Sequence, residues 1–467
     1  MTHLSGRGIR FLYLIVIAHM LSPEEVGIFT YGMALYLSLF GLSQFGQQGV
    51  LSTRIGRSHR ARGILIAHSL TLRLAMTGVI AALLLVYVVV TEPSPQIRLA
   101  VIFFVLALIP RSVVFWVRQC YLAMENTSWI PRWEVGFRGA EAALGAVALW
   151  LGGGLLAICF LHFAIWTLEL GAALRRLVNQ GGVRLRLGWD LRLLKRISQV
   201  SIFFMLSYWL ADTFQIVAVV IVKELQPDTA MVGILGLAMQ FLSTVMVIFV
   251  TLGDALVPRL SRVYARQGAG RLEEIPQLMC SVMLGGGLTA ILASSYAPPL
   301  FEWMLGERYL QVGPLFALLC WALGPFAVVL LSIQILNAVG GWRDGMIVAA
   351  VAMAVQLGLL LSWAADGDVF RAGGAIVVAS FVGAAVGIAL LANRISSMEA
   401  ARGYLALGLL AGAFALVELG PFDTPWAGAL AAAAYLLTNW LSKAVTPDDL
   451  AALVARLYSQ MARPAVP

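Results

Sequence analysis

Long apolar runs separated by short polar segments dominate this chain. A membrane-spanning helix needs about 20 mostly apolar residues, and the apolar runs between the polar segments give fourteen candidate spans. No run alternates polar and apolar residues as membrane β-strands do, so the pattern predicts an all-α integral membrane protein. The predicted spans lie near residues 2–20, 27–51, 64–90, 97–122, 132–151, 154–174, 197–222, 230–257, 277–301, 312–338, 346–364, 372–392, 403–418 and 425–442.

Two segments roughly two hundred residues apart share one pattern. The first is Leu21–Glu24 followed by Val26–Ile28, and the second is Leu225–Asp228 followed by Val232–Ile234. Each opens a long span that ends in an arginine pair, Arg54 and Arg57 or Arg259 and Arg262. This parallel repeat predicts two six-helix lobes, with two further helices at the C-terminus. In transporters, related halves usually enclose a substrate path.

The repeat divides the chain into five predicted segments. They are an N-lobe of spans 1–6 (residues 1–176), a cytoplasmic amphipathic linker (177–196), a C-lobe of spans 7–12 (197–395), the extra spans 13 and 14 (396–445) and a cytoplasmic tail helix (446–467). The linker interleaves leucines with basic residues, so we expect it to lie along the anionic inner leaflet.

Composition and charge agree with a membrane protein. The chain is 60% hydrophobic and 12% charged, with a mean hydropathy of +0.88, whereas about a quarter of the residues of soluble domains are charged. The net charge is +8, and the arginines concentrate in alternate loops. This asymmetry predicts that both termini are cytoplasmic. The positive charge is thus a topological signal, and no nucleic-acid partner is expected.

The first span is short and contains Arg7 and Arg10. Because no cleavage site follows it, we interpret it as a retained helix rather than a signal peptide. Either this helix carries charge at depth, or the sequence lacks some natural N-terminal residues.

Several chemistries lack the residues they need. The four cysteines have no CxxC spacing and the five histidines have no partners at ligand spacing, so neither a disulfide framework nor a metal site is predicted. The chain contains no phosphate-binding loop motif, which argues against ATP-driven work. No cofactor is expected.

Asp212 is the most informative polar residue inside a span. An ionised group near mid-bilayer costs roughly 2.5–3.5 kcal/mol and needs a partner or a wet cavity. Tyr208 and Gln215 share its helix face. Two interpretations remain open: a residue that couples transport to a proton or sodium gradient, and a structural ion pair.

Further charged residues fall within the third to sixth spans. Arg111 follows Pro110 in the fourth span and suits either an anion-binding cavity wall or an arginine paired for packing alone. Arg73 and Glu169 lie nearer span ends, where we expect their side chains to reach the interface. In the fifth span, the spacing of Glu134, Arg138 and Glu141 favours mutual neutralisation on one helix face.

The second and eighth spans carry polar pairs at equivalent places. Gln44 and Gln48 share a helix face, as do Gln240 and Thr244. Amides and hydroxyls facing a lumen suit a ligand that carries sugars. Hydrogen bonding between helices is an equally good explanation.

The chain resembles a known transporter family. The features that carry the resemblance are the Pro-acid-x-x-Gly pattern of Leu21–Gly27, the long second span that ends in Arg54 and Arg57, Asp212 in the seventh span, and fourteen helices in two lobes plus two. These features are similar to those of the polysaccharide-exporting branch of the multidrug/oligosaccharidyl-lipid/polysaccharide (MOP) superfamily, which contains the Wzx-type O-antigen flippases. The resemblance implies a central cavity lined by spans 1, 2, 7 and 8, with Arg10, Gln44, Gln48, Asp212, Gln215 and Gln240 at or near the lumen.

The implied function is export of a polyprenyl-diphosphate-linked oligosaccharide across the bacterial cytoplasmic membrane by alternating access. Arginines such as Arg111 can bind a diphosphate, and polysaccharide polymerase machinery would be a partner. Two alternatives within the superfamily remain open: a lipid II flippase and a MATE-type drug/cation antiporter. A membrane polymerase or ligase would need an ordered outer loop. The outer loops here are about 12 residues or fewer, below the usual length of functional loops, so no enzyme activity is expected.

Overall fold

The computed structural model is built from α-helices. It describes residues 2–47, 51, 59–124, 126–181, 185–226, 228–267, 274–339, 341–392, 397–419 and 425–446. Within these ranges there are sixteen α-helices, a short 3-10 helix at Glu307–Tyr309 and no strand, which confirms the predicted all-α fold. The helices are α1 (Thr2–Met20), α2 (Pro23–Gln44), α3 (His59–Thr91), α4 (Pro95–Ala123), α5 (Ile130–Trp150), α6 (Gly154–Asn179), α7 (Leu191–Phe214), α8 (Val217–Leu225), α9 (Thr229–Gln267), α10 (Glu274–Leu305), α11 (Val312–Cys320), α12 (Leu323–Ala338), α13 (Trp342–Ser362), α14 (Val369–Ala392), α15 (Ser397–Leu419) and α16 (Pro425–Leu441).

Nine helices of the described chain are long and apolar enough to cross a membrane, or up to eleven if each of two bent helix pairs is one span. The multi-pass architecture is therefore shown, while the count of fourteen spans and the cytoplasmic termini stay predictions. Three predicted spans are not among these helices, each for a different reason. The apolar part of α1, Gly8–Met20, is short, α5 carries several charged residues, and α16 has 17 residues.

The start of α2 follows directly from its sequence. The Ser22 hydroxyl accepts a hydrogen bond from the Glu25 backbone N–H at 3.3 Å, and the Glu25 carboxylate accepts one from the Ser22 N–H at 3.1 Å. This reciprocal capping box satisfies two donors that a helix start leaves free, and Pro23 fits the first helical turn. The polar motif that marks the repeat is thus a helix start signal.

The two repeat glycines meet where α2 crosses α9. A Cβ at Gly27 would overlap the backbone carbonyl of Thr229 and lie 3.2 Å from the Gly233 nitrogen. A Cβ at Gly233 would lie 2.7 Å from the Pro23 oxygen and 2.9 Å from the Gly27 nitrogen. Membrane helices can approach this closely only where both lack a side chain. The duplicated Val-Gly-Ile motif therefore forms a backbone-to-backbone crossing.

Two predicted spans are broken into pairs of helices. The seventh consists of α7 and α8, which meet at an angle of 58°, and the tenth consists of α11 and α12, which meet at 48°. Breaks inside spans free backbone groups, which membranes tolerate only where protein or a wet cavity can satisfy them. The first break follows Phe214, so Asp212 lies in the last turn before it.

The predicted linker 177–196 is partly helical, because α6 continues to Asn179 and α7 already begins at Leu191. Its extended part is held on α3: the Gly188 N–H donates to the Thr71 hydroxyl at 2.9 Å, and the Asp190 N–H donates to His68 Nε2 at 3.2 Å. Its exposed leucines and basic residues suit the predicted position along the membrane surface, which stays a prediction. The predicted tail helix lies almost entirely outside the described residues, as do Arg54 and Arg57.

The chain forms two compact units. The first contains residues 1–244 and 364–369, and the second contains residues 245–363 and 370–467. The first unit extends beyond the predicted N-lobe because α7, α8 and the beginning of α9 pack on α2. Trp209 Nε1, for example, donates to the Ser38 carbonyl at 2.6 Å. The predicted lobe boundaries stay predictions.

Each unit has its own apolar interior. In the first, Trp116, Tyr121, Trp129 and Trp166 belong to one buried cluster. In the second, α10 packs against α11, α12, α15 and α16. Buried polar residues in the described part of the second unit are all uncharged: Ser281, Ser295, Ser332, Gln356, Ser380 and Asn439. Among the side chains whose burial the structure describes, buried charge is therefore confined to the first unit.

Candidate functional site

A chain of charged side chains runs between α4, α5 and α6 inside the first unit. Its members recur at spacings of three, four or seven residues, so each helix presents them on one face. Those faces meet in the interior of the unit, where an unpaired charge would be costly. The members are Arg111 and Arg118 on α4, Glu134, Arg138 and Glu141 on α5, and His162 and Glu169 on α6.

Glu169 joins two arginines. Its Oε1 accepts a hydrogen bond from Arg118 Nη2 at 2.6 Å, and its Oε2 accepts one from Arg138 Nη2 at 2.7 Å. The Glu169 side chain is 1% exposed, so these are buried, charge-assisted bonds between three helices. The expectation that the Glu169 side chain reaches the membrane–water interface is wrong, because its face of α6 turns toward α4 and α5.

The chain continues beyond both arginines. Arg118 Nη1 donates to Glu134 Oε2 at 3.3 Å, and Arg138 Nη1 donates to Glu141 Oε2. The pairing of Arg138 with Glu141 within α5 follows the predicted spacing. Glu134 instead pairs across to α4, so α5 is bound to both of its neighbours rather than neutralised within itself.

His162 lies between a carboxylate and a phenol. Its Nδ1 is 2.6 Å from Glu141 Oε1, and its Nε2 is 3.0 Å from the Tyr36 hydroxyl. The Tyr36 oxygen in turn accepts a hydrogen bond from Arg111 Nη1. The polar chain therefore reaches α2 through Tyr36 and returns to α4 at Arg111.

Aromatic rings surround the Arg111 guanidinium, whose carbon lies 4.7–5.5 Å from their centroids. Such contacts stabilise a desolvated cation. Arg111 is 8% exposed, and its Nε has no hydrogen-bond partner among the described residues. This arginine faces protein, not lipid. The rings belong to Tyr36, Phe40, Phe115 and Trp166.

Arg10 brings α1 to the same cluster. It is partly exposed and lies close enough to Arg111, Arg138 and Glu141 to interact with them electrostatically. Among the described side chains, no carboxylate forms an ion pair with Arg10 or Arg111. Two of the predicted site residues are thus near one another, and neither forms an ion pair with a described carboxylate.

The cluster carries a surplus of positive charge. Among the described side chains, four guanidinium groups, from Arg10, Arg111, Arg118 and Arg138, face the three carboxylates of Glu134, Glu141 and Glu169. The arginines that form the described ion pairs with these carboxylates are Arg118 and Arg138. The excess of guanidinium groups therefore lies at the Arg10 and Arg111 end. An anion would complete the charge balance there.

Gln44 belongs to a separate polar group. Its Oε1 accepts a hydrogen bond from Gln119 Nε2 at 3.1 Å, while Gln119 Oε1 accepts one from Arg73 Nη2 at 2.6 Å. Arg73 is fully buried, so the expectation that its side chain reaches the membrane–water interface is wrong. The partner of Gln44 supports the interhelical interpretation for that amide, and Gln48 lies outside the described residues.

The other predicted residues lie near the broken span and on α9. Asp212 is exposed and Gln215 is partly exposed on either side of the end of α7. Gln240 is partly exposed on α9, and its backbone carbonyl accepts hydrogen bonds from the Ser243 and Thr244 hydroxyls at 2.8 and 3.0 Å. The roles of Asp212, Gln215 and Gln240 stay predictions.

Sequence reasoning missed Arg118 and the roles of Glu169 and His162. One signal was available: Arg111 and Arg118 lie seven residues apart on one face of an apolar helix, which requires acidic residues on a neighbouring helix. No group of three or more histidine, cysteine, aspartate or glutamate side chains that could hold a metal occurs within the described ranges.

Solved transporter structures share this fold. A lipid II flippase, MurJ, in an inward closed conformation superimposes with a TM-score of 0.65 at 10% identity, covering 99% of both chains. An inward-facing multidrug resistance MATE family transporter gives 0.64 at 11% identity, covering 84% of this chain and 95% of its own. A MOP superfamily transporter from Pyrococcus furiosus gives 0.58 at 13% identity, covering 88% and 94%. At these identities the likeness establishes the fold alone.

Sequence comparison identifies the family. No curated protein is significantly similar in sequence, but the family model described as "polysaccharide biosynthesis protein" matches residues 1–264. That match covers more than half of the chain, including every residue of the arginine cluster. The structural relatives are transporters rather than enzymes. The chain therefore belongs to the polysaccharide biosynthesis protein family and has the fold of MOP superfamily transporters.

Proposed function

We propose that this protein exports a polyprenyl-diphosphate-linked oligosaccharide, such as an O-antigen, capsule or exopolysaccharide repeat unit, across the bacterial cytoplasmic membrane. The observation that carries the proposal is the pair of cations, Arg10 and Arg111, that form no ion pair among the described side chains, at one end of an otherwise ion-paired cluster. A diphosphate is a doubly charged anion, and guanidinium groups bind phosphate oxygens with two hydrogen bonds. The family membership supports the same substrate class.

The remaining substrate parts call for different surroundings. The polyprenyl tail can stay in the bilayer, while the sugars need hydrogen-bonding groups in place of water. Gln215 and Gln240 are partly exposed amides that suit this role, and so would Gln44 if it exchanged its hydrogen bond to Gln119 for one to a sugar. Gln48 is proposed with them from the sequence alone.

Asp212 is the proposed coupling residue. It lies in the last helical turn before the 58° break of the seventh span. The C-terminal end of a helix carries partial negative charge, which adds to that of a carboxylate in attracting a cation. A proton or a sodium ion bound there would change the charge at the break, and so bias which way the bent helix points.

Polysaccharide polymerase machinery is the proposed partner on the outer side.

We expect Arg111→Ala and Asp212→Asn to abolish surface polysaccharide export while the protein still inserts into the membrane. The first removes the cation opposite the diphosphate, and the second removes the titratable charge. Surface polysaccharide is measured in a strain that lacks its own flippase, alongside the amount of protein in the membrane. Arg308→Ala and Asp228→Asn, both at exposed positions, are matched controls that should export normally. Normal export by both test variants would remove these residues from the mechanism.

A lipid II flippase is the second candidate. The MurJ structure covers 99% of both chains, a more complete overlap than the 84% of this chain covered by the inward-facing MATE transporter. Rescue of cells depleted of their own lipid II flippase would support this candidate. A drug/cation antiporter would instead confer drug resistance and ethidium efflux.

A further inference from the structure

The hydrogen bonds around His162 have a fixed direction. A carboxylate only accepts, so Nδ1 carries the proton that is donated to Glu141 Oε1 at 2.6 Å. Arginine only donates, so Tyr36 accepts from Arg111 through its oxygen. The Tyr36 hydroxyl proton then points to Nε2, 3.0 Å away. A neutral imidazole with Nε2 as the acceptor satisfies every member of this pattern.

His162 lies between charged side chains. On one side Glu141 accepts a hydrogen bond from Nδ1 and is itself bonded to Arg138, and on the other side Arg111 donates to Tyr36. His162 is buried, 3% exposed, so these charges are poorly screened. The titratable and charged groups that face this region are Arg10 and Tyr13 on α1, Tyr36 on α2, Arg111 on α4, Arg138 and Glu141 on α5, and Glu169 on α6.

An anion bound at Arg10 and Arg111 would change the charge next to this hydrogen-bonded chain. It would cancel the surplus positive charge, and its oxygens would offer the Tyr36 hydroxyl a new acceptor. If Tyr36 turned its proton to the anion, His162 Nε2 would lose its donor. A proton from solution could then add to the Nε2 lone pair and be donated to the Tyr36 oxygen, so that both partners stay hydrogen-bonded.

We propose that His162 is a proton-binding site linked, through Tyr36, to occupancy of an anion site at Arg10 and Arg111. This inference rests on the proposed function, because the anion is the diphosphate of the lipid-linked substrate. Binding one anion takes up a proton, and by reciprocity a lower pH tightens anion binding. His162 is thus a positioning residue: it acts on the substrate through Tyr36 and does not touch it.

The test is proton uptake on ligand binding. Purified full-length protein in detergent, with a pH indicator in weak buffer near pH 7, is titrated with a polyprenyl-diphosphate-linked N-acetylglucosamine. The diphosphate of this ligand is esterified on both sides and does not itself titrate near neutral pH. Binding is followed in parallel by intrinsic tryptophan fluorescence. We expect the wild type to take up a fraction of a proton, at most about one, per ligand bound.

His162→Gln separates the proton site from the hydrogen-bond pattern. The glutamine amide can donate to Glu141 and accept from Tyr36 as neutral histidine does, but it does not titrate. We expect this variant to bind the ligand without proton uptake, and with an affinity that no longer rises at lower pH. The matched control is His19→Gln, at an exposed histidine bonded to its own helix. It should retain both the proton uptake and the rise in affinity at lower pH.

The outcomes distinguish the two proposals. Ligand binding with equal proton uptake in the wild type and His162→Gln would overturn the assignment of His162. Binding by the wild type without uptake would overturn it as well, even if His162→Gln failed to fold. No binding by the wild type would remove the proposed function, and the proton site with it.

Discussion

Glu169→Gln is expected to lower the free energy of unfolding by about 3–5 kcal/mol, the usual cost of removing one member of a buried ion pair. Glu169 is the only carboxylate that Arg118 and Arg138 share in the described ion pairs. With a neutral amide in its place, Arg118 keeps only Glu134 as a charged partner and Arg138 keeps only Glu141. The measurement is thermal unfolding in detergent, followed by tryptophan fluorescence.

Glu302→Gln is the matched control, because Glu302 is exposed near the end of α10 and surface substitutions seldom change stability by more than about 0.5 kcal/mol. An unfolding temperature of Glu169→Gln that equals the wild type would contradict the buried ion-pair chain.

Gly27→Ala is expected to prevent the close crossing of α2 and α9, and with it the accumulation of folded protein. The added methyl group would overlap the Thr229 carbonyl. Backbone atoms cannot move aside as a flexible side chain can, so the cost should exceed the roughly 1–3 kcal/mol of ordinary overpacking. The yield of monodisperse protein after detergent extraction measures the effect.

Gly78→Ala provides the comparison for this substitution, since nothing lies within 4 Å of the position of its Cβ. There we expect a gain of roughly 0.5–1 kcal/mol, because alanine favours a helix over glycine. Equal yields of folded Gly27→Ala and wild-type protein would show that the two helices do not cross through these glycines.

The repeat could be predicted from the sequence, and so could the importance of its motif. What the sequence could not reveal is that the two copies touch. Gly27 and Gly233 are each predictable as close-packing glycines, but their mutual contact joins positions about two hundred residues apart. The start of α2 was easier, because the capping box at Ser22 and Glu25 is local and each residue type has a direct physical role.

The polar cluster was only partly predictable for the same reason. Arg111 was identified because charge in a span is rare, and Arg10 because the resemblance to the transporter family places the first span at the lumen. The partners of Arg118 and His162 lie on other helices, as many as 126 residues away for His162 and Tyr36, and helix packing decides them. The broken seventh span also escaped prediction, since no proline or glycine stands at its break between Phe214 and Val217.

Transport by the purified protein in liposomes tests the central proposal most directly. One leaflet is loaded with a polyprenyl-diphosphate-linked oligosaccharide, and a lectin added outside reports its appearance there. We expect the wild type to move this lipid, and Arg10→Ala/Arg111→Ala to reconstitute equally well but move none. Ethidium transport without movement of the lipid-linked oligosaccharide would contradict the account, and so would full activity of the double variant.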